Sequence, residues 1–127
     1  MFEKHPDWIL KIDNRPLSTG RGKTQVVLDL TNPKVQDFVF GVVDNLMTNY
    51  PEISYMKWDD NCSLLDYGSS YLPKNKQSHL YIEYNRGLQK VLQRIRAKYP
   101  ELVMQLCAGG GARVNYGLLP YFDEFWT

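Results

Sequence analysis

Lys57-Trp58-Asp59-Asp60-Asn61 places a cation, two carboxylates and an amide within one short stretch. On an extended chain, side chains alternate between faces, so Lys57 and Asp59 point the same way and Trp58 the other. A lysine two residues from a carboxylate on one face holds that carboxylate ionised. An ionised, oriented carboxylate is what a glycosidase nucleophile needs, because it attacks an anomeric carbon as positive charge develops there. Asp59 fits that role. The same residues also read as a turn or helix cap beside a surface lysine. A third reading makes Asp29, Asp59, Asp60 and Asn61 oxygen ligands for Mg²⁺ or Ca²⁺ at strand ends. Spacing alone leaves all three open.

A second candidate is Cys107-Ala108-Gly109-Gly110-Gly111-Ala112-Arg113. Three glycines in a row can cradle a phosphate, but the spacing fits neither the dinucleotide fingerprint nor the P-loop, and no Lys-Ser pair follows. Bare backbone instead lets a sugar ring or a neighbouring loop approach closely, next to the small thiol of Cys107. A tight turn that needs glycine for positive φ explains the run equally well. His5 and His79 have no serine or cysteine motif around them, so a nucleophilic triad is not indicated. Cys62 and Cys107 lack zinc spacing, and a disulfide between them has little in the sequence to support it.

The elements that must hold these residues follow from hydrophobic pattern. Gln25–Leu30 is a short β-branched, apolar run that reads as a buried strand. Asn32 can cap a helix starting at Pro33, with Val35, Phe38, Val39, Val42, Leu46 and Met47 as its apolar stripe and an end near Tyr50-Pro51. Ile53–Trp58 is the next strand, and Asp59-Asp60-Asn61 sits at its C-terminal end. Cys62 to Gln77 is long and irregular, as functional loops often are. A helix capped by Ser78 runs to about Tyr99, with Leu80, Tyr81, Tyr84, Leu88, Val91, Leu92 and Ile95 on its period. Leu102–Leu106 is a third strand and Phe122–Trp126 a fourth. Alternating strands and helices imply an α/β fold with parallel strands and right-handed crossovers, whether an α/β barrel or an open sheet. In such folds ligands bind at the C-terminal strand ends, where both candidate segments fall.

The 127 residues suffice for one domain or part of one. Fifteen basic residues against fourteen acidic ones leave a charge of +1 without long runs of either sign, which argues against nucleic-acid or membrane partners. No signal peptide or membrane span is expected from the apolar pattern.

Several of these segments, in order, resemble the family 36 α-galactosidases. Lys57 to Asn61 resembles that family's Lys-Trp-Asp-Met-Asn-Arg signature, and Cys107 to Arg113 its Cys-x-Gly-Gly-Gly-x-Arg loop. His5-Pro6-Asp7-Trp8, Gln25 to Asp29 and Phe122 to Thr127 also look like family sequence, so the resemblance covers essentially the whole chain. It implies a partial (β/α)8 TIM barrel of about four βα units, residues 1–127 forming part of the catalytic domain. The implied reaction is retaining hydrolysis of terminal α-linked galactose, as in melibiose and raffinose, with galactosides as partners and no cofactor. Asp59 would be the nucleophile, Lys57 and Asn61 would bind sugar hydroxyls, and Cys107, Gly109 and Gly110 would line the pocket. Arg21 matches a galactose-binding arginine. The chain departs from the pattern at Asp60 (usually Met), Cys62 (usually Arg) and Asn115 (commonly Asp). In the family Phe-Trp-Thr is followed by Ser-Asp, whose aspartate is the general acid/base, whereas this sequence ends at Thr127. The polypeptide alone is therefore expected to be inactive and, with open strand edges, to self-associate, for example as a homodimer. A non-catalytic carbohydrate-binding module and a metal-dependent barrel enzyme are the alternative readings.

Overall fold

The computed structural model describes residues 3–17, 25–62, 67–109 and 112–126. Asn32 and Pro33 begin the first helix as their chemistry dictates: Asn32 Oδ1 accepts the Lys34 backbone N–H at 3.0 Å, and Pro33 takes the first helical position, where an N–H has no partner to lose. Helix α1 spans Pro33–Asn49 and strand β1 spans Tyr55–Trp58. A 3₁₀ turn, Lys74–His79, leads into helix α2, Leu80–Lys98. Strands β2, Val103–Leu106, and β3, Glu124–Phe125, complete the order. Ser78 thus lies inside the 3₁₀ turn, and α2 starts two residues after the expected cap.

The strands form a parallel sheet in the order β1-β2-β3. Lys57 is opposite Gln105, which is opposite Glu124, and Trp58 is opposite Leu106, which is opposite Phe125. One face carries Met104 and Leu106, both buried, while the other presents Tyr55, Lys57 and Glu124 to solvent. The ladder continues past the strand ends through Cys107 N–H to Trp58 O at 2.8 Å and Trp126 N–H to Leu106 O at 2.9 Å.

The chain divides into two compact units, Met1–Gln36 with Cys62–Leu88 and Asp37–Asn61 with Gln89–Thr127. In the first, the expected strand Gln25–Leu30 requires correction. Among the described residues it makes a single antiparallel bridge, Leu28 to Ile9, flanked by Leu10 N–H to Val27 O and Asp29 N–H to Trp8 O. The reason lies in Asp29. Its fully buried carboxylate accepts the Thr31 N–H at 3.0 Å and the Thr31 hydroxyl at 2.6 Å, and Leu30 N–H turns back to Leu28 O at 3.1 Å. These local bonds curl the chain toward α1 instead of extending a ladder. The other carboxylate oxygen takes the Ser69 hydroxyl at 2.5 Å, and Ser69 Oγ in turn accepts the N–H groups of Tyr71 and Leu72. Gln77 bonds both backbone groups of Ser69, so the described part of the long loop is tied down by paired polar groups.

Helix α1 buries Val35, Val43 and Met47, with Val39 half-buried, whereas Val42 and Leu46 from the expected stripe are exposed. Apolar residues occupy two neighbouring i, i+4 ridges of α1, and periodicity alone does not say which ridge is covered. On α2 the expected Leu80, Tyr84, Leu88, Val91, Leu92 and Ile95 are all buried, while Tyr81 is exposed. In the second unit, Arg96 of α2 bonds the carbonyls of Tyr121 and Leu102 and the carboxylate of Asp123. Asp123 also accepts the Met104 N–H at 2.8 Å. That backbone donor, and secondarily the Arg96 guanidinium, hold the Asp123 carboxyl below its usual range.

Candidate active site at the strand ends

The sheet pairing that sets Lys57 against Gln105 brings the next same-face residues, Asp59, Cys107 and Trp126, to the C-terminal ends of the three strands. Four groups converge on the Asp59 carboxylate. The Cys107 thiol is the strongest influence and holds its pKa below the usual carboxylate range; burial opposes it, and the Asn61 side chain, the Lys57 ammonium and the Asp60 backbone N–H each add a smaller lowering effect. Lys57 Nζ stands 3.6 Å from Asp59 Oδ2, and the Asp60 N–H lies 2.9 Å from Asp59 Oδ1. The Asp59 side chain keeps 35% of its surface exposed, so this stabilised anion is open to a ligand.

Lys57 also lies 4.7 Å from the centroid of the Trp126 ring, a cation–π contact that orients the ammonium. Below this layer, Glu124 accepts the Tyr55 hydroxyl at 2.9 Å and the Gln105 amide at 3.2 Å. Burial and the hydrogen bond to Glu124 raise the Tyr55 pKa, keeping the phenol protonated. Trp126, Glu124, Tyr55 and Gln105 were not singled out from sequence. Their alternation on a two-residue period was visible, but only the strand register aligns them with Lys57 and Asp59.

Gly109 has φ +59°, with nothing within 4 Å of where a Cβ would stand. Left-handed backbone, not close approach of another segment, is what requires glycine at this position. Gly110 and Arg21 lie outside the described residues. Cys62 and Cys107 do not form a disulfide, which corrects that expectation, and Cys62 Sγ lies 3.4 Å from the Tyr67 hydroxyl. Among the described residues no three His, Cys, Asp or Glu side chains group to hold a metal ion, and Asp29 spends its oxygens on Thr31 and Ser69. Of the residues singled out, the structure brings Lys57, Asp59, Asn61 and Cys107 together.

The sequence pattern of one family, Melibiase, matches residues 1–127. The chain belongs to the melibiase family. Among curated melibiase relatives it is 38% identical to α-galactosidase AgaA of Geobacillus stearothermophilus over 127 residues, all of this chain and 17% of that protein. It is 37% identical to α-galactosidase 2 of Pediococcus pentosaceus over 126 residues, 99% of this chain and 17% of that protein. The crystal structure of a family 36 AgaA variant from G. stearothermophilus in complex with raffinose superposes with a TM-score of 0.89 at 37% identity, covering 99% of this chain and 17% of that one. The chain therefore spans about a sixth of the length of these melibiases, and its α/β piece with a parallel three-stranded sheet matches part of their structure.

Proposed function

We propose that these residues form part of the (β/α)8 catalytic domain of a retaining α-galactosidase, with Asp59 as the nucleophile. The observation that carries this is the convergence of Cys107, Asn61, Lys57 and the Asp60 N–H on an accessible carboxylate whose pKa is held down. A nucleophile must stay ionised and fixed in place while the anomeric carbon approaches, and four donors supply both conditions. In the first step an Asp59 oxygen forms a bond to the anomeric carbon as the glycosidic C–O bond breaks, leaving a β-galactosyl ester, and the aglycone oxygen receives a proton from a second carboxyl group. In the second step water, deprotonated by that same group, attacks the anomeric carbon, and Asp59 departs with galactose in its original α configuration.

Lys57 and Asn61 would contact sugar hydroxyls, Cys107, Gly109 and Gly110 would line the galactose pocket, and Arg21 matches a galactose-binding arginine of the family. The substrate class is terminal α-linked galactose of the melibiose and raffinose type, a reading supported by family membership and by the raffinose bound to a relative. Among the described residues β1 pairs on one side only, which supports self-association as a further part of the reading.

Double displacement uses two carboxyl groups about 5 to 5.5 Å apart. By the family resemblance, the second is the aspartate that follows Phe-Trp-Thr, and Asp59 is the carboxyl group that these residues contribute. General acid catalysis contributes ~10² to 10⁴ in rate. The purified 127-residue polypeptide is expected to release no p-nitrophenol from p-nitrophenyl α-galactoside above background; sustained turnover would overturn that expectation. A catalytically complete chain carrying these residues is expected to release α-galactose first, as followed by proton NMR.

A further inference from the structure

We propose that Arg113 and Asp60 are a positioning pair that fixes the Cys107 thiol against the Asp59 carboxylate. The proposal rests on the reading of Asp59 as the nucleophile. The Cys107 peptide is gripped from both sides: its N–H bonds Trp58 O at 2.8 Å, and its carbonyl accepts Arg113 Nη2 at 3.0 Å. Beyond Cys107 the chain runs through Ala108 and the left-handed Gly109, neither of which has a polar side chain that could hold the Cys107 carbonyl. The guanidinium does that work from further along the loop.

The arginine side chain is only 16% exposed, and its counter-charge is Asp60, whose Oδ2 lies 3.6 Å from Arg113 Nη1 and whose side chain is 21% exposed. A largely buried guanidinium is retained only with a compensating anion. Asp60 follows Asp59 directly, so the pair ties the C-terminal end of β1 to the loop after β2. A second carboxylate beside Asp59 disfavours ionisation of the first, and pairing with Arg113 neutralises it. This chain has Asp60 where the resembling signature has Met, and Asn115 where Asp is common after the glycine loop. Asn115 donates its amide to the Arg113 carbonyl at 3.2 Å and brings no charge. Among the described residues, the anion that faces Arg113 is Asp60, in the turn that follows β1.

Among the described residues, the charged and titratable groups around Asp59 are Lys57 on β1, Asp60 in the turn, Cys107 and Arg113 from the loop after β2, and Glu124 on β3. Asp59 must be ionised to attack, so kcat/KM is present above its pKa and lost as pH falls through it. Raising that pKa moves the acid limb up, and lowering it moves the limb down.

The test is the pH profile of kcat/KM for p-nitrophenyl α-galactoside in a catalytically complete chain carrying these residues. Arg113→Met releases the Cys107 carbonyl and removes the cation that faces Asp60. It is expected to lower kcat/KM at neutral pH by on the order of 10²-fold, as small misplacements of reacting groups do, and to move the acid limb to higher pH. Asp60→Asn keeps the guanidinium and unmasks its charge, so its acid limb is expected to move to lower pH. A purely structural role would lower stability without opposite shifts. An acid limb at the wild-type position in either variant overturns the pair, and if Arg113→Met does not fold, Asp60→Asn alone decides. Asp59→Gly in the same background separates the two readings. Full activity there sinks the nucleophile, whereas an inactive Asp59→Gly beside an unshifted limb in Arg113→Met or Asp60→Asn sinks only the pair.

Discussion

Replacing Asp59 with glycine in a catalytically complete chain is expected to cut kcat/KM for p-nitrophenyl α-galactoside by on the order of 10⁴-fold or more, the scale seen when a covalent nucleophile is removed. The surrounding donors would remain: Lys57 stays oriented by the Trp126 ring, and Cys107 stays in the sheet through its N–H. The variant should therefore still fold and bind sugar while lacking the atom that forms the bond. The vacated space beside Lys57 then suits a small anion. Added azide is expected to restore turnover and to give β-galactosyl azide, because azide attacks from the face that Asp59 occupied and one inversion replaces two. An α-configured azide, or activity near wild type without azide, would contradict the assignment.

The second large effect concerns folding. Gly87 lies inside α2, where alanine would ordinarily be favoured by ~1 kcal/mol. Here the ideal Cβ would stand 1.8 Å from the Leu30 carbonyl oxygen and 2.8 Å from its carbon. Backbone atoms do not swing aside as a side chain does. The same carbonyl accepts Gln36 Nε2 at 2.8 Å, so displacing it also strains the link between the Asp29 turn and α1. Gly87→Ala is expected to destabilise the chain by about 3 kcal/mol despite the propensity gain. Gly41, in α1, has nothing within 4 Å of its Cβ position, and Gly41→Ala should stabilise by up to ~1 kcal/mol. Denaturant unfolding of the two variants side by side reads the difference, and equal stabilities would refute the close packing of α2 on Leu30.

Gly87 illustrates where sequence reading runs out. The apolar period of α2 announced the helix and its buried Leu88, Leu92 and Ile95, because a regular repeat is a local property. A glycine in that repeat looks like a weak point until the Leu30 carbonyl beside it is known. Likewise, Gln25–Leu30 has the composition of a strand. What the composition does not carry is that the Asp29 carboxylate turns back on Thr31, a local competition that defeats ladder pairing. On α1 two apolar ridges compete, and only packing reveals that Val43 is covered and Val42 is not.

The candidate site divides along the same line. Lys57 and Asp59 were readable because two residues on one strand share a face. That reading gained weight from the ordered motifs, which also brought Asn61, Cys107 and the glycine loop into view. Trp126, Glu124 and Gln105 come from strands 19 or more residues apart from their partners, and their alignment depends on register. Arg113 was visible as a motif letter, but its contacts with the Cys107 carbonyl and Asp60 cross a loop whose path no local rule predicts.

As the proposed nucleophile, Asp59 becomes covalently attached to the sugar during turnover. The most direct test of that attachment is peptide mass spectrometry of a catalytically complete chain inactivated by a fluorinated α-galactosyl reagent that slows hydrolysis of the ester. One fluoro-galactosyl adduct is expected, carried by Asp59 within the Lys57-Trp58-Asp59-Asp60-Asn61 segment. An adduct on Asp60 or Glu124, or an inactivated enzyme with this segment unlabelled, would contradict it.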